Sequence, residues 1–204
     1  MSSSSPSAQS LLPSTPPVSR QLLHHWATTR AVVCVNRCTI DFNLFQGKGA
    51  FGAVYVGSLN RGSSLDPVKV AVKVLRTHTP VGDLDEEHAI RTKLGYPCLP
   101  VLYEGKHIVA VCLPFWGQGM LNMKRETAPM VRRIPAAARM IRDVARCLLS
   151  AHDAGFLHTD ICLGNICCSD APTGSRSKGY RFHLVDWGKA EAVSNDRGTF
   201  DSLF

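Results

Sequence analysis

Five short stretches of this 204-residue chain carry residue types suited to handling a phosphorylated ligand. The first is Gly47-Lys48-Gly49-Ala50-Phe51-Gly52-Ala53-Val54, set between two predicted strands. Glycines there let a hairpin fold closely over phosphates and offer backbone N–H groups to them. The position between strands, with no helix opening after it, argues against a dinucleotide fold. A plain hairpin turn is the competing reading of these glycines taken alone.

The second stretch is Val70-Ala71-Val72-Lys73, in which Ala71 and Lys73 share one face of a strand. A lone strand lysine is usually a solvated residue. Glu87, however, lies inside an apolar helical stripe beside Leu84 and Leu94, where an unpaired carboxylate is costly. Lys73 is its obvious partner, and Glu86 is the second choice. The last two stretches are His158-Thr159-Asp160-Ile161-Cys162-Leu163-Gly164-Asn165 and Asp186-Trp187-Gly188. Two carboxylates and a carboxamide, each beside an apolar strand or turn, form a general-base and hard-cation set. Magnesium prefers oxygen ligands and keeps waters, so Asn165, Asp186 and a ligand's phosphates suffice for it.

The elements that position these groups follow from hydrophobic period. Ile40, Phe42 and Leu44 alternate with polar residues as a strand, and Ala53–Gly57 and Val68–Leu75 read as two more. Asp83–Leu94 reads as a helix, and Val101–Tyr103 and His107–Leu113 as further strands. Pro135–Asp153 has helical spacing with proline in its first turn and Gly155 after its end. Ile166–Cys168 and Tyr180–Asp186 complete a small hairpin.

Composition narrows the class. With 45% hydrophobic and 19% charged residues, the chain has the makeup of a globular domain with a core. No apolar run approaches the roughly 20 residues a membrane helix needs, so a soluble chain without a membrane partner is expected. Lys+Arg 23 against Asp+Glu 16 gives +7, which favours anionic partners. The eight cysteines match no zinc spacing and fit buried free thiols in a reducing compartment, cytoplasm or nucleus. Residues 1–20 hold eight serines and four prolines and read as a disordered tail, with a transit peptide as the weaker alternative because prolines break the required helix. Lys124, Arg125, Arg132, Arg133, Arg139, Arg142 and Arg146 make a basic stretch. A solvated helix face is preferred there over a dock for acidic peptide or nucleic acid.

In this order, the stretches resemble the eukaryotic protein kinase superfamily: glycine-rich loop, V-A-V-K strand, helix glutamate, H-x-D-x-x-x-x-N loop and D-x-G. The resemblance implies an α+β, two-lobed fold: a five-stranded antiparallel N-lobe sheet with one helix, plus a partial helical C-lobe. Residues 1–38 would be disordered Ser/Pro-rich tail and leader. Residues 39–117 would be the N-lobe with its hinge, and 118–204 the partial C-lobe with catalytic loop and D-x-G. It further implies ATP and Mg2+ as cofactors. Gly47, Lys48, Gly49 and Gly52 would cover the phosphates, while Val54 and Ala71 pack above the adenine. Cys112–Gly117 would form the hinge, and Cys167 would lie beneath the ring. Lys73 would bind phosphates and be held by Glu87. Asp160 would accept the substrate proton, Asn165 and Asp186 would hold magnesium, and His158 would support the loop.

Four positions depart from the family pattern. Thr159 replaces the usual arginine, which implies independence from a phosphorylated activation loop. Cys162 replaces a lysine near the transferred phosphate, Arg91 an apolar helix residue, and Trp187 the phenylalanine of D-F-G. Only eighteen residues follow Asp186. Gly198-Thr199 resembles part of the substrate platform, and the 135–153 helix is expected to expose an apolar stripe. The chain would then be a piece of a longer kinase, or a shortened relative whose C-lobe a partner protein covers.

The resemblance implies transfer of the γ-phosphate to a protein hydroxyl, serine or threonine, with similarity to the casein-kinase-one and vaccinia-related branch or to herpesviral kinases. The alternatives are a catalytically weak kinase-like protein that binds nucleotide or a partner, and a small atypical kinase working inside a complex.

Overall fold

The computed structural model describes residues 18–49, 52–62, 66–80, 82–97, 99–119, 134–170 and 180–193. Most of the expected tail, the tip of the glycine loop (Ala50 and Phe51), four basic residues (Lys124, Arg125, Arg132 and Arg133) and Gly198-Thr199 lie outside the described residues.

Six strands form one antiparallel sheet, β1 (Val32–Val35), β2 (Cys38–Lys48), β3 (Gly52–Leu59), β4 (Val68–Leu75), β5 (Val101–Glu104) and β6 (His107–Pro114), in the order β1-β2-β3-β4-β6-β5. The five strands expected are all there, and β1 adds a sixth at one edge. Alternation along β4 sends Val70, Val72 and Val74 into the core, at 1%, 1% and 6% exposure, and turns Ala71 and Lys73 to the other face. Alternation along β2 holds through Ile40 and Phe42 and then fails, leaving Leu44 exposed. Two register shifts between Asp41 and Gly47 account for this, since each bulge flips the residues beyond it and bends the strand.

The leader corrects the expectation of a structureless segment through residue 38. Helix α1 (Arg20–Thr29) starts at Ser19, whose Oγ accepts from the Leu22 N–H at 3.1 Å, and stops at Arg30 in the left-handed region. Leu23 is fully buried in the sheet's core, with Trp26 and Ala27 packed beside it. Arg20 ties the helix down by a 2.8 Å ion pair with Glu104. The apolar spacing 23, 26, 27 is helical. It was hidden by the serines and prolines before it.

Helix α2 (Asp83–Lys93) begins at Gly82 with no side-chain cap; Asp83, Asp85 and Glu86 complement its positive end. Asp85 accepts from the Ile108 backbone N–H at 2.8 Å and meets His107 Nδ1 at 2.8 Å, pinning the helix to β6. Leu84, Glu87 and Arg91 form its buried stripe.

After β6 the chain crosses into a second layer. Here β7 (Gln118–Gly119), β9 (Ile166–Asp170) and β10 (Tyr180–Leu184) form a three-stranded sheet against α3 (Ile134–Asp153). Val144, Ile166, Cys168, Phe182 and Leu184 make the core between them. A short pair joins β8 (Phe156–Leu157) to β11 (Glu191–Ala192). On α3, Arg142 and Arg146 are exposed, and so are Ile141 and Leu149.

Candidate functional site

The glycine hairpin, β4, α2 and the loops around β9 and β10 enclose a cavity of about 370 Å³. Eleven of the residues singled out by sequence line it: Gly47, Lys48, Gly49, Gly52, Val54, Ala71, Lys73, Glu87, Asn165, Cys167 and Asp186. The hairpin closes through the Gly49 N–H donating to the Gly52 carbonyl at 2.9 Å. A Cβ on Gly52 would stand 2.6 Å from the Val74 carbonyl oxygen, so close strand packing requires glycine there. A Cβ on Gly49 would stand 3.6 Å from Asp186 Oδ2, which places the hairpin over that carboxylate.

Lys73 is the electrostatic centre. Its Nζ lies 2.6 Å from Glu87 Oε2 and 2.6 Å from Asp186 Oδ1. Burial alone would depress the ammonium, but the two carboxylates outweigh it and hold its pKa above the ordinary lysine value. Glu86 is exposed, so Glu87 is the partner.

Below, the loop from His158 to Asn165 is tied to the Val185–Lys189 segment at several points. His158 Nε2–H donates to the Val185 carbonyl at 3.0 Å, and its Nδ1 accepts from the Asp160 backbone N–H at 3.3 Å. Burial holds the ring below the ordinary histidine value, hence neutral, with the tautomer set by these two bonds. Trp187, fully buried, meets the His158 ring edge-on at 4.5 Å. Thr159 and Asp186 both have positive φ, 57° and 65°, conformations that cost energy in non-glycine residues and gather at functional sites. The Thr159 hydroxyl donates to the Lys189 carbonyl, so the position expected to hold arginine joins the two segments directly.

Asp160 does not line the cavity, but its carbonyl is bonded by Asn165, which does. Its Oδ2 lies 3.1 Å from Lys189 Nζ, which holds the carboxyl below the usual range and keeps it ionised. Asn165 spends Nδ2 on the Asp160 carbonyl at 2.9 Å, which leaves Oδ1 as a ligand oxygen, and Asn165 and Asp186 both line the cavity. Their side-chain oxygens suit a hard cation shared with phosphate oxygens.

One expectation is corrected. Cys112 does not reach the cavity. Strand pairing sets Leu113 opposite Ala71 and Cys112 opposite Val72, so alternation points Cys112 into the upper core, where its Sγ lies 3.4 Å from Cys38. The connecting segment that does line the cavity runs from Leu113 to Gly117. Gly117 has φ +81° and no room for a Cβ, which would overlap the Cys168 carbonyl. Cys167 lines the floor, and burial pushes its thiol up to about 11.

Arg91, which departs from the family pattern, shares the helical stripe of Leu84 and Glu87. It is 4% exposed, lines the cavity one turn beyond Glu87, and lies with its Cζ 4.5 Å from the Tyr96 ring centroid. Its i+4 spacing from Glu87 was the available signal.

Comparison with known proteins agrees with this geometry. Residues 40–198 match the family described as protein tyrosine and serine/threonine kinase. The chain is similar to the serine/threonine-protein kinase PLK4 of Nematostella vectensis, at 28% identity over 135 residues. That match covers 63% of this chain and spans 14% of the relative.

Proposed function

Because the chain belongs to the protein tyrosine and serine/threonine kinase family, we propose that it binds ATP in this cleft and transfers the γ-phosphate to a serine or threonine hydroxyl of a protein. The observation that carries this reading is Lys73, held between Glu87 and Asp186 beneath the glycine hairpin. Phosphoryl transfer needs in-line positioning and fixed cations against spreading negative charge, with little covalent help from the protein. Lys73 supplies one such cation. The hairpin offers backbone N–H groups, and its glycines admit phosphates close to the main chain. Ala71, Val54 and Cys167 provide the apolar walls for a planar base. Asp160, held ionised, orients a substrate hydroxyl and accepts its proton. Asn165 and Asp186 would hold magnesium, which when bound neutralises charge on the phosphate oxygens.

The test is phosphate transfer from labelled ATP to a panel of serine, threonine and tyrosine peptides. Wild type should transfer, and Asp160→Asn should lose on the order of 10²–10⁴ in rate, the worth of a positioned general base. Equal incorporation by both proteins would remove the enzyme reading.

A second reading, nucleotide binding without efficient transfer, is favoured by two observations. Asp160 is engaged by Lys189, and Cys162, which is exposed, brings no cation to the transferred phosphate. ATP binding with no Asp160-dependent transfer would select it.

A further inference from the structure

We propose that Arg91 is a ligand-binding residue of the cleft, a second buried cation beside Lys73, and that through it the chain binds nucleoside triphosphate without a divalent metal. The inference rests on the nucleotide reading above and goes beyond it.

Arg91 is 4% exposed and Glu87 2%, and both line the cavity. Among the described residues, Arg91 Nη2 has no hydrogen-bond partner, and neither has Glu87 Oε1. A guanidinium withdrawn from water with an unused N–H is costly, and such groups are ordinarily satisfied by an acceptor. The Tyr96 ring, 4.5 Å from Cζ, offers a cation–π contact, which gives the unpartnered N–H no acceptor. Tyr96 and Trp116 lie against the guanidinium, with their ring centroids 4.5 Å and 6.0 Å from Cζ, and Arg91 contributes to the cavity wall.

Charge bookkeeping on the cavity wall points to an anion. Lys48, Lys73 and Arg91 stand against Glu87 and Asp186, so the wall is net cationic with no metal bound. An apolar residue at position 91 would leave Lys73 as the one buried cation among the described lining residues, already shared by two carboxylates at 2.6 Å. Arg91 also faces Glu87 electrostatically, which frees part of the Lys73 charge for a ligand. The class of ligand is a polyphosphate ester, and the base need not be read by Arg91.

The experiment is a binding titration of the full chain with ATP, by calorimetry and by thermal shift, in EDTA and in excess magnesium. Wild type should bind in both, with affinities within about threefold of each other. Arg91→Met, similar in length and uncharged, should weaken the EDTA affinity by about tenfold to a hundredfold, the worth of a charge-assisted hydrogen bond. Its affinity in magnesium should change less, and Arg91→Lys should keep most of the metal-free binding. Wild-type binding in magnesium alone would overturn the proposal while leaving the nucleotide reading intact. So would Arg91→Met binding metal-free ATP as wild type does, which would make Arg91 a packing residue on Tyr96. Binding in neither condition would overturn both readings. Should Arg91→Met not fold, the wild-type comparison and Arg91→Lys decide.

Discussion

Lys73 Nζ and Glu87 Oε2 meet at 2.6 Å, an ion pair whose side chains are 6% and 2% exposed. The pair joins β4 to α2, so it fixes the helix against the sheet as well as orienting the ammonium. Removing one member of a buried pair leaves the other uncompensated. Lys73→Met strands two carboxylates and should cost about 3–5 kcal/mol. Glu87→Gln keeps an acceptor for Lys73, which still has Asp186, and should cost about 1–2 kcal/mol. Urea unfolding of the two variants checks the order; equal losses would mean that Asp186 contributes nothing to holding Lys73.

The hairpin glycines should separate by role. Gly52→Ala brings a Cβ within 2.6 Å of the rigid Val74 carbonyl and should destabilise by about 1–3 kcal/mol. Gly47 has nothing within 4 Å of where its Cβ would stand, so Gly47→Ala should leave stability within about 0.5 kcal/mol of wild type. Melting temperatures distinguish them, and an equal drop for both would contradict the packing described for Gly52.

His158 gives stability a pH dependence of defined sign. Burial holds its folded value below the ordinary 6.5, so the unfolded chain takes up the proton first. Stability is therefore full above that value and falls as pH drops below it. His183, depressed by burial and by Arg181, acts in the same direction. His158→Gln, whose amide can still donate to the Val185 carbonyl, should flatten the slope of melting temperature between pH 7 and 5 without abolishing it. An unchanged slope would place the titration elsewhere.

The leader helix offers a stability test independent of the cleft. Leu23 is fully buried between α1 and the sheet, so Leu23→Ala should cost about 2–5 kcal/mol in unfolding free energy. His24, the next residue, is exposed, and His24→Ala should be close to neutral. A leader that does not pack would give two silent substitutions.

Residue order and period by themselves determined a good deal here. The glycine hairpin, the lysine strand, the acid-bearing helix and the two lower loops follow from spacing, because strand and helix periods are local and each motif sits on one element. Alternation in β4 even placed Ala71 and Lys73 on a common face. Tertiary structure decided what local period cannot, namely which face meets which cavity and which distant groups are neighbours. Lys73 and Asp186 are 113 residues apart and meet only because the two layers close on one cleft. Cys112 turned inward and Leu113 outward because cross-strand pairing with β4 set the parity of β6. Leu44 lost its core position to a bulge. Arg91 is a buried cation on the cavity wall because α2 presents Glu87 and Arg91 on one stripe and the packing of α2 brings that stripe to the site. Apart from the i+4 spacing of Glu87 and Arg91, these outcomes rest on long-range packing, whose energy depends on neighbours far away in the chain and so leaves no local signature.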